Sequence, residues 1–314
     1  MFRLMTAVTV AGMLSTVHAA SWAQRDTTLS KPVESDTSAR QLVRTRDGSL
    51  LLGRVVAEDS AMIRLETAGG TLTLARGEVI EIKTVRASEM RDGEYWFRDP
   101  NRTRLFFAPT GRMLDQGEGY YMNTYLLLQN FVGAPTSNVT IGGGFALIPG
   151  VDPGKWAYYL TPKIGLHQSE NFNAAAGAFA GYAPEGSGHG FGIVYGVGTW
   201  GGADGSVTSG LGWGYSGTSF ASRPMLMLGG ERRLSRRVAF VTENYAFSTK
   251  SDSYSCGSSG CSARSRNETE TVASYGLRFL GEKMSVDFAF WNVAGGGVNW
   301  IFPGIPYVSF GVKF

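Results

Sequence analysis

The sequence is poor in charge and in the residues of metal and redox sites. Only 18% of its 314 residues are Asp, Glu, Lys or Arg, against roughly 25% in an average soluble domain. The net charge of +3 is too small to indicate a nucleic-acid partner. The 2 cysteines have no histidine beside them, so we expect neither a metal site nor a cofactor.

Long hydrophobic runs are also missing after the first 20 or so residues, and a spanning helix needs about 20 in a row. The composition offers instead 43 glycines and 12% aromatic residues. Low charge with abundant glycine and aromatic residues is typical of a chain built from many short strands. We therefore predict an all-β protein.

The N-terminal segment has the pattern of an export signal. A basic Arg3 precedes an apolar stretch, and the small residues of "VHA" and "SWA" offer cleavage after Ala19 or Ala23. We predict a signal peptide over 1–23 and a flexible polar linker over 24–40.

Residues 41–86 predict a small β-domain of about five strands. Short apolar runs alternate there with Asp-Gly, Gly-Gly and Arg-Gly-Glu turns. The "DGSLLLGRVV" hairpin followed by "IRLETAGGTLTLARGEVIEI" resembles an Sm-like or SH3-like small barrel. Some Sm-like domains bind RNA, but an exported one meets none, so we favour a periplasmic module that stabilises the protein or contacts a protein partner. A connector follows at 87–100.

From 101 to 314 we predict an antiparallel β-barrel of about twelve strands, with ten as the alternative. The proposed segments lie near 102–108, 119–131, 138–147, 155–167, 171–182, 189–200, 205–215, 219–230, 237–249, 270–280, 283–292 and 305–314. Within 205–215, for example, Val207, Leu211 and Trp213 alternate with small residues.

The connections favour a membrane barrel over a soluble sandwich. Every second connection is short, such as "QSE", "GADG" and "GEK", while those between are mostly longer, such as "PTGRMLDQGEG" and "SDSYSCGSSGCSARSRNETE". Short turns at one end and long loops at the other are the layout of transmembrane β-barrels of bacterial outer membranes. We predict this location, with the small domain in the periplasm.

The C-terminal strand "YVSFGVKF" carries a resemblance to a known class. Val308, Phe310, Val312 and Phe314 share one face, and this ending resembles the closing strand of bacterial outer-membrane proteins. The resemblance implies that Phe314 is read by the barrel-assembly machinery. In addition, "RLFFAPT", "GEGYYMN" and "IGGGF" within 101–150 resemble a group of uncharacterised bacterial outer-membrane barrels, which implies location and fold but no activity.

If the apolar faces of the strands contact lipid, the polar residues of the strands face inward, because a charge on the lipid-facing side costs roughly 2–4 kcal/mol at mid-membrane. The lumen-lining candidates are Arg104, Asn123, Gln129, Lys163, Arg223, Glu243, Arg278, Asp287 and Lys313. They either neutralise a filled interior or line a narrow conduit with a weak preference for anions. We therefore predict a structural barrel or a passive conduit for small solutes or ions.

Two further functions stay open. Cys256 and Cys261 lie in an exported Ser/Gly-rich loop and predict a disulfide, so extracellular-loop binding or adhesion is one alternative. His189, near the outer rim, is the candidate for a protease-like or lipase-like enzyme, while His167 falls at the periplasmic end. No nucleophile motif accompanies His189, and we predict that the protein is not an enzyme.

Overall fold

The computed structural model describes residues 40–85, 89–184, 190–257, 260–294 and 302–314, and the side chains of these ranges outside 250–267. The predicted signal peptide and nearly all of the predicted linker lie outside them. The chain forms two compact units, one ending at Val85 and one beginning at Arg86.

The first unit is a five-stranded antiparallel sheet. Its strands are β1 (Gln41–Thr45), β2 (Leu50–Glu58), β3 (Met62–Thr67), β4 (Gly70–Ala75) and β5 (Val79–Thr84), with a 3₁₀ turn at Arg76–Glu78. The order across the sheet is β4-β3-β2-β1-β5. Val43, Ile63, Leu65 and Val79 form its buried core. The five predicted strands are present, and the Sm-like or SH3-like resemblance stays a prediction.

The second unit begins with a short hairpin, β6 (Met90–Arg91) and β7 (Glu94–Tyr95), and continues into a large sheet. The strands of that sheet are β8 (Gly119–Thr124), β9 (Leu128–Thr136), β10 (Val139–Ala146), β11 (Ala157–Leu160), β12 (Lys163–Gln168), β13 (Phe172–Tyr182), β14 (Gly190–Gly201), β15 (Gly205–Ser216), β16 (Ser219–Phe220), β17 (Met225–Ser235), β18 (Val238–Gly257), β19 (Gly260–Leu280), β20 (Met284–Ala294) and β21 (Ile305–Lys313). A 3₁₀ turn at Pro153–Lys155 precedes β11.

The large sheet closes into a cylinder of 12 antiparallel strand positions. Both β11 and β12 pair with β10 and β13, so they are two halves of one position. Pro162 lies between the halves and has no N–H for the ladder. The last strand pairs with the first, Lys313 opposite Tyr120, and the backbone of Phe314 exchanges two hydrogen bonds with Gly119. The predicted transmembrane β-barrel is confirmed.

The two faces of the barrel are inverted relative to a water-soluble protein. Leu160 and Leu166 on the outside are 60% and 68% exposed, whereas Arg278, Asp287 and Glu243 on the inside are 0% exposed. A large exposed apolar belt around a polar interior is the pattern of a barrel that spans a bilayer. No helix in the described ranges is long and apolar enough to cross a membrane.

The two ends of the barrel differ. At the turn end, residues 137–138, 169–171, 202–204, 236–237 and 281–283 join the strands, and the chain terminus lies there with Phe314. At the loop end lie the longer connections, including 147–156. There the β18–β19 ladder continues out to Gly257 opposite Gly260. Residues 251–257 and 260–270, which the sequence predicts as part of a loop, therefore extend this hairpin.

The predicted first barrel strand is wrong. Residues 102–108 form no strand of the wall, and an isolated bridge joins Arg104 to Pro109. The predicted strand at 119–131 is instead two strands, β8 and β9, with a turn at 125–127. These two errors cancel in the strand count, and the wall begins at Gly119.

Candidate functional site

The lumen of the barrel is filled by the segment that precedes its first strand. This plug, defined as residues 97–118, folds back on itself, with Thr110 N–H bonded to Thr103 C=O at 3.0 Å and Leu105 N–H to Ala108 C=O at 2.8 Å. Leu105 and Phe106 at its tip are 0% exposed. The plug is therefore a hairpin whose tip lies in the middle of the barrel.

Both ends of the plug are held at the turn end of the barrel. Phe97 packs against Ala239, near the start of β18, and Leu280, at the end of β19. At the other end Glu118 forms an ion pair with Lys313 of the last strand. The chain thus enters and leaves the lumen through the same opening.

A single wall carboxylate binds the tip. Glu243 Oε2 accepts hydrogen bonds from the backbone N–H groups of Phe106, Phe107 and Ala108 at 2.8, 3.0 and 3.0 Å. Its other oxygen accepts from the Tyr245 hydroxyl at 2.6 Å. Three consecutive N–H groups pointing at one anion form a concave anion site, here with the carboxylate supplied by the wall and the N–H groups by the plug.

A buried charge network crosses from the wall into the plug at Arg278. Its Nε donates to Asp287 Oδ1 at 2.6 Å and its Nη1 to Asp99 Oδ2 at 3.2 Å. Its Nη2 also donates to the Leu105 carbonyl at 2.5 Å. Asp287 in turn accepts from Arg104 Nη1 at 3.2 Å. Because these charges are removed from water, their mutual pairing is what makes their burial tolerable.

The opposite side of the plug is tied to the wall in the same manner. Arg112 Nη1 donates to Glu231 Oε1 at 2.5 Å. Lys163 Nζ donates to the carbonyls of Thr103, Thr110 and Arg112 at 3.2, 3.2 and 2.8 Å. Buried polar groups in folded proteins have hydrogen-bond partners. These contacts therefore hold the plug in one defined position against the wall.

Two chambers flank the plug. A cavity of 280 Å³ on its loop-end side is lined mainly by apolar residues, among them Phe107, Met122, Val132, Phe179, Ile193, Met225 and Met227. A polar cavity of 570 Å³ on its turn-end side is lined by five arginines and five acidic residues, Arg91, Arg98, Arg102, Arg112, Arg232, Asp99, Asp115, Glu170, Asp204 and Glu231. The plug separates the two.

The predicted lumen-lining residues fall into three groups. Arg104, Lys163, Glu243, Arg278 and Asp287 are all buried inside the barrel, and each contacts the plug or belongs to it. Lys313 lies at the turn-end rim, where it pairs with Glu118.

Three of the predicted lumen-lining residues are placed elsewhere. Asn123 and Gln129 are on the outward-facing side of their strands with Phe131, where Asn123 Nδ2 donates to Gln129 Oε1 at 2.9 Å. They pair with each other at the loop end, where a polar pair is tolerated near the membrane boundary. Arg223 is exposed in the connection 221–224.

Sequence reasoning missed the plug, two of its charged residues and one charged wall partner. Asp99 fell in the expected connector, Arg112 in an expected outer loop, and Glu231 in a segment interpreted as a basic turn. The structure extends β17 through Ser235, which places Glu231 on the inward face with Met227. The alternation of Met225, Met227 and Gly229 could have shown that Glu231 faces inward.

The remaining predicted features are the two histidines of the predicted mature chain and the two cysteines. His167 is exposed near the turn end and its ring lies 5.7 Å from that of Phe172, while His189 lies outside the described residues. Cys256 and Cys261 are cross-strand partners in backbone register, but their side chains are outside the described set. The described part of the chain contains no group of three or more His, Cys, Asp or Glu side chains able to hold a metal ion.

Comparisons with known proteins give structural neighbours only. No family model and no curated protein matches the chain. The outer-membrane-expressed OmpT of Vibrio cholerae superposes with a TM-score of 0.34 at 11% identity, covering 88% of this chain and 93% of that chain. A variant of the same outer-membrane protein with its loop L8 deleted gives a TM-score of 0.34 at 9% identity, covering 88% and 96%. These values are too low to bear on function.

Proposed function

We propose that the protein is a non-catalytic outer-membrane barrel whose lumen is closed at rest by its own plug. Of the two roles that the sequence suggests, a structural barrel and a passive conduit, the first is favoured. The observation that supports this choice is that Glu243 accepts hydrogen bonds from three consecutive backbone N–H groups of the plug tip. An open conduit would require these hydrogen bonds to break so that the plug could move.

The proposed location is the bacterial outer membrane, with the small domain in the periplasm. The apolar outer belt supports contact with outer-membrane lipid, and recognition of Phe314 by the assembly machinery is part of the same proposal. A periplasmic protein partner for residues 41–86 is part of the same proposal. Cell fractionation and surface proteolysis test it: the β18–β19 extension is cut in intact cells, whereas the small domain is cut only after the outer membrane is opened.

Planar-bilayer recording tests the closed lumen. Wild-type protein is expected to give no stable currents, and Glu243→Ala is expected to give channel openings because the plug tip loses its anchor. Glu170→Ala is the matched control, since it removes an exposed carboxylate at the turn end that makes no contact with the plug tip. Heat-modifiable migration on a gel verifies that each barrel is folded. If Glu243→Ala does not fold, Phe106→Ala replaces it, because it removes the ring contacts of the plug tip with Trp291 and Tyr307.

Steady currents from the wild-type barrel would contradict the closed lumen and restore the conduit. The rim-enzyme alternative gains support only if the wild-type protein hydrolyses a peptide or lipid ester and His189→Ala abolishes that activity. The loop-binding alternative gains support if a variant with the β18–β19 extension shortened loses binding to a surface that the parent binds.

A further inference from the structure

The inner face of the barrel wall changes from charged to apolar along β17. Glu231, towards the turn end, pairs with the plug, whereas the inward positions towards the loop end include Met227 and Met225. The intervening Leu226 and Leu228 are 54% and 57% exposed on the lipid-facing side. The interior of a transmembrane barrel is usually polar, so contact with lipid does not explain the inward methionines.

Neighbouring strands continue this apolar inner surface around the loop-end cavity. Phe179 of β13 and Ile193 of β14 line the cavity together with Gly210 and Gly212 of β15. These two glycines are the register partners of the two methionines of β17. Because glycine has no side chain, β15 leaves open space beside the methionines, and the wall is concave there.

The plug tip completes the cavity with an aromatic ring that protein does not cover. Phe107, Ala108 and Pro109 are part of the cavity lining. Phe107 is 43% exposed, whereas its neighbour Phe106 is 0% exposed. Because the plug tip lies inside the barrel, the open part of the Phe107 ring faces the lumen. An apolar molecule in the cavity would remove this surface from water, which is favourable.

The two charged side chains of the lining have their partners elsewhere. Arg104 and Lys163 are only 3% and 6% exposed. Arg104 Nη1 donates to Asp287 and to two plug carbonyls, and its Nε and Nη2 are buried. Lys163 Nζ donates to three plug carbonyls. An ionised ligand in this cavity would therefore lose its hydration without gaining an ion pair from these residues, and that loss is costly.

The volume of the cavity limits the size of its ligand. A cavity of about 150 Å³ lined by apolar side chains holds benzene, and this one, at 280 Å³, is somewhat less than twice that size. It therefore suits a ligand of about ten non-hydrogen atoms. Methionine side chains are flexible and polarisable, so they adapt to the flat faces of such a molecule.

We infer that the loop-end cavity binds a small uncharged apolar molecule, the size of a bicyclic aromatic hydrocarbon, between the inward methionines and the Phe107 ring. The inference rests on the closed barrel proposed above, because the plug supplies Phe107. It goes beyond that proposal by giving the loop-end side of the closed lumen a ligand of defined chemistry.

NMR spectroscopy of the methionine methyl groups tests the inference on the full-length protein in lipid nanodiscs, with naphthalene as the probe. Met122, Met225 and Met227 line the cavity, so we expect their methyl signals to shift and to saturate as naphthalene is added. Met284 on the outer face is 49% exposed, so it detects naphthalene dissolved in the bilayer and changes without saturation. Met113 lines the turn-end cavity and is expected to keep its shift.

The charged relative 2-naphthoate tests the chemical class of the ligand. It has the same two rings and adds a carboxylate, for which the cavity offers no accessible ionic partner among the described lining residues. From the free concentrations in water, we expect naphthalene to bind at least about tenfold more tightly than 2-naphthoate at Met225 and Met227.

Two matched tryptophan substitutions on β17 locate the site. Met225→Trp fills the cavity from the wall, so the affinity for naphthalene reported by Met122 and Met227 falls about tenfold or more. Leu226→Trp places the same ring on the lipid-facing side of the next residue, so the affinity is retained. Heat-modifiable migration on a gel verifies that both barrels are folded, and Ile193→Trp replaces Met225→Trp if that variant does not fold.

Any of three results would overturn the inference. They are the absence of saturable shifts at the cavity methionines up to the solubility limit of naphthalene, an affinity for 2-naphthoate equal to or above that for naphthalene, and equal affinities in Met225→Trp and Leu226→Trp. Each can occur in a barrel that gives no current in planar bilayers, and in that case the closed lumen stands while the ligand site fails. A conducting wild-type barrel is a different result and contradicts the proposed function itself.

Discussion

The small domain and the barrel use the same alternation of residues for opposite purposes. In the small domain the apolar positions Ile63 and Leu65 are 0% exposed. On the outer face of the barrel the apolar residues are exposed, as with Leu160 and Leu166, whereas Arg278 and Asp287 on the inner face are 0% exposed. Alternation therefore shows only that a strand has two environments, and the placement of charge shows which of them is water, lipid or a packed interior.

The largest expected effect on stability comes from removing the charge of Arg278 in the interior of the barrel. Arg278→Gln leaves Asp287 and Asp99 buried with fewer partners, so the free energy of unfolding of the barrel should fall by about 3–5 kcal/mol. Urea titration in lipid vesicles, followed by tryptophan fluorescence, measures it.

The matched control for Arg278→Gln is Arg44→Gln in the small domain. Arg44 pairs with Glu81 at the surface, with side chains 33% and 53% exposed, so the change should stay below about 1 kcal/mol. Losses of similar size in both variants would mean that the interior of the barrel is hydrated and does not behave as a packed core.

A charge placed on an exposed apolar residue tests the outer faces. Leu211 in the barrel is 43% exposed and Ile80 in the small domain is 61% exposed. Leu211→Arg should cost about 2–4 kcal/mol because the exposed side meets lipid, whereas Ile80→Arg should change stability by no more than about 0.5 kcal/mol. Urea titration of folded protein in vesicles gives both values. If Leu211→Arg leaves the free energy of unfolding unchanged, this face does not contact lipid.

The turn-end rim supplies a smaller, pH-dependent effect. Burial opposes the ionisation of Glu118, but the hydrogen bond from Lys313 and the charge of Arg102 outweigh it and lower the pKa of Glu118 to about 2 from 4.5. A lowered folded pKa stabilises the protein above the unfolded value, and that contribution is lost as the pH falls through the folded pKa.

The pH effect is measured as the stability difference between wild type and Glu118→Gln. Because the site is partly open to solvent, we expect about 1 kcal/mol at neutral pH, shrinking between about pH 5 and pH 2. In the small domain the pKa of Asp47 is also lowered, by hydrogen bonds from Thr45 and Ser49, but this carboxylate is at the surface and Glu118 is partly buried. A difference that does not change with pH would show that Glu118 contributes through packing alone.

The wall of the barrel could be predicted from the sequence because each strand has one lipid-facing side. Val207, Leu211 and Trp213 are indeed exposed together, and Ser285 and Asp287 are buried together. The order of short and long connections added the two ends. Such local regularity is what a repeated antiparallel wall imposes on its sequence.

The plug could not be predicted in the same way because its partners are distant in sequence. The "RTRLFF" stretch alternates like a strand, yet its Phe106 N–H bonds to Glu243, 137 positions further along the chain. Polar character alone also misplaced Asn123 and Gln129, since two amides that satisfy each other can face outward near the loop end. Long-range pairing of this kind leaves no local period.

The tethering of the plug has a consequence for how the ring of strands stays shut. The plug is covalently continuous with β8, but its wall partners Glu243, Arg278, Asp287 and Tyr307 belong to strands β18 to β21. The plug therefore links the first strand of the barrel to its last four strands. Separating β8 from β21 would also require the charged plug hairpin to leave its contacts with these strands.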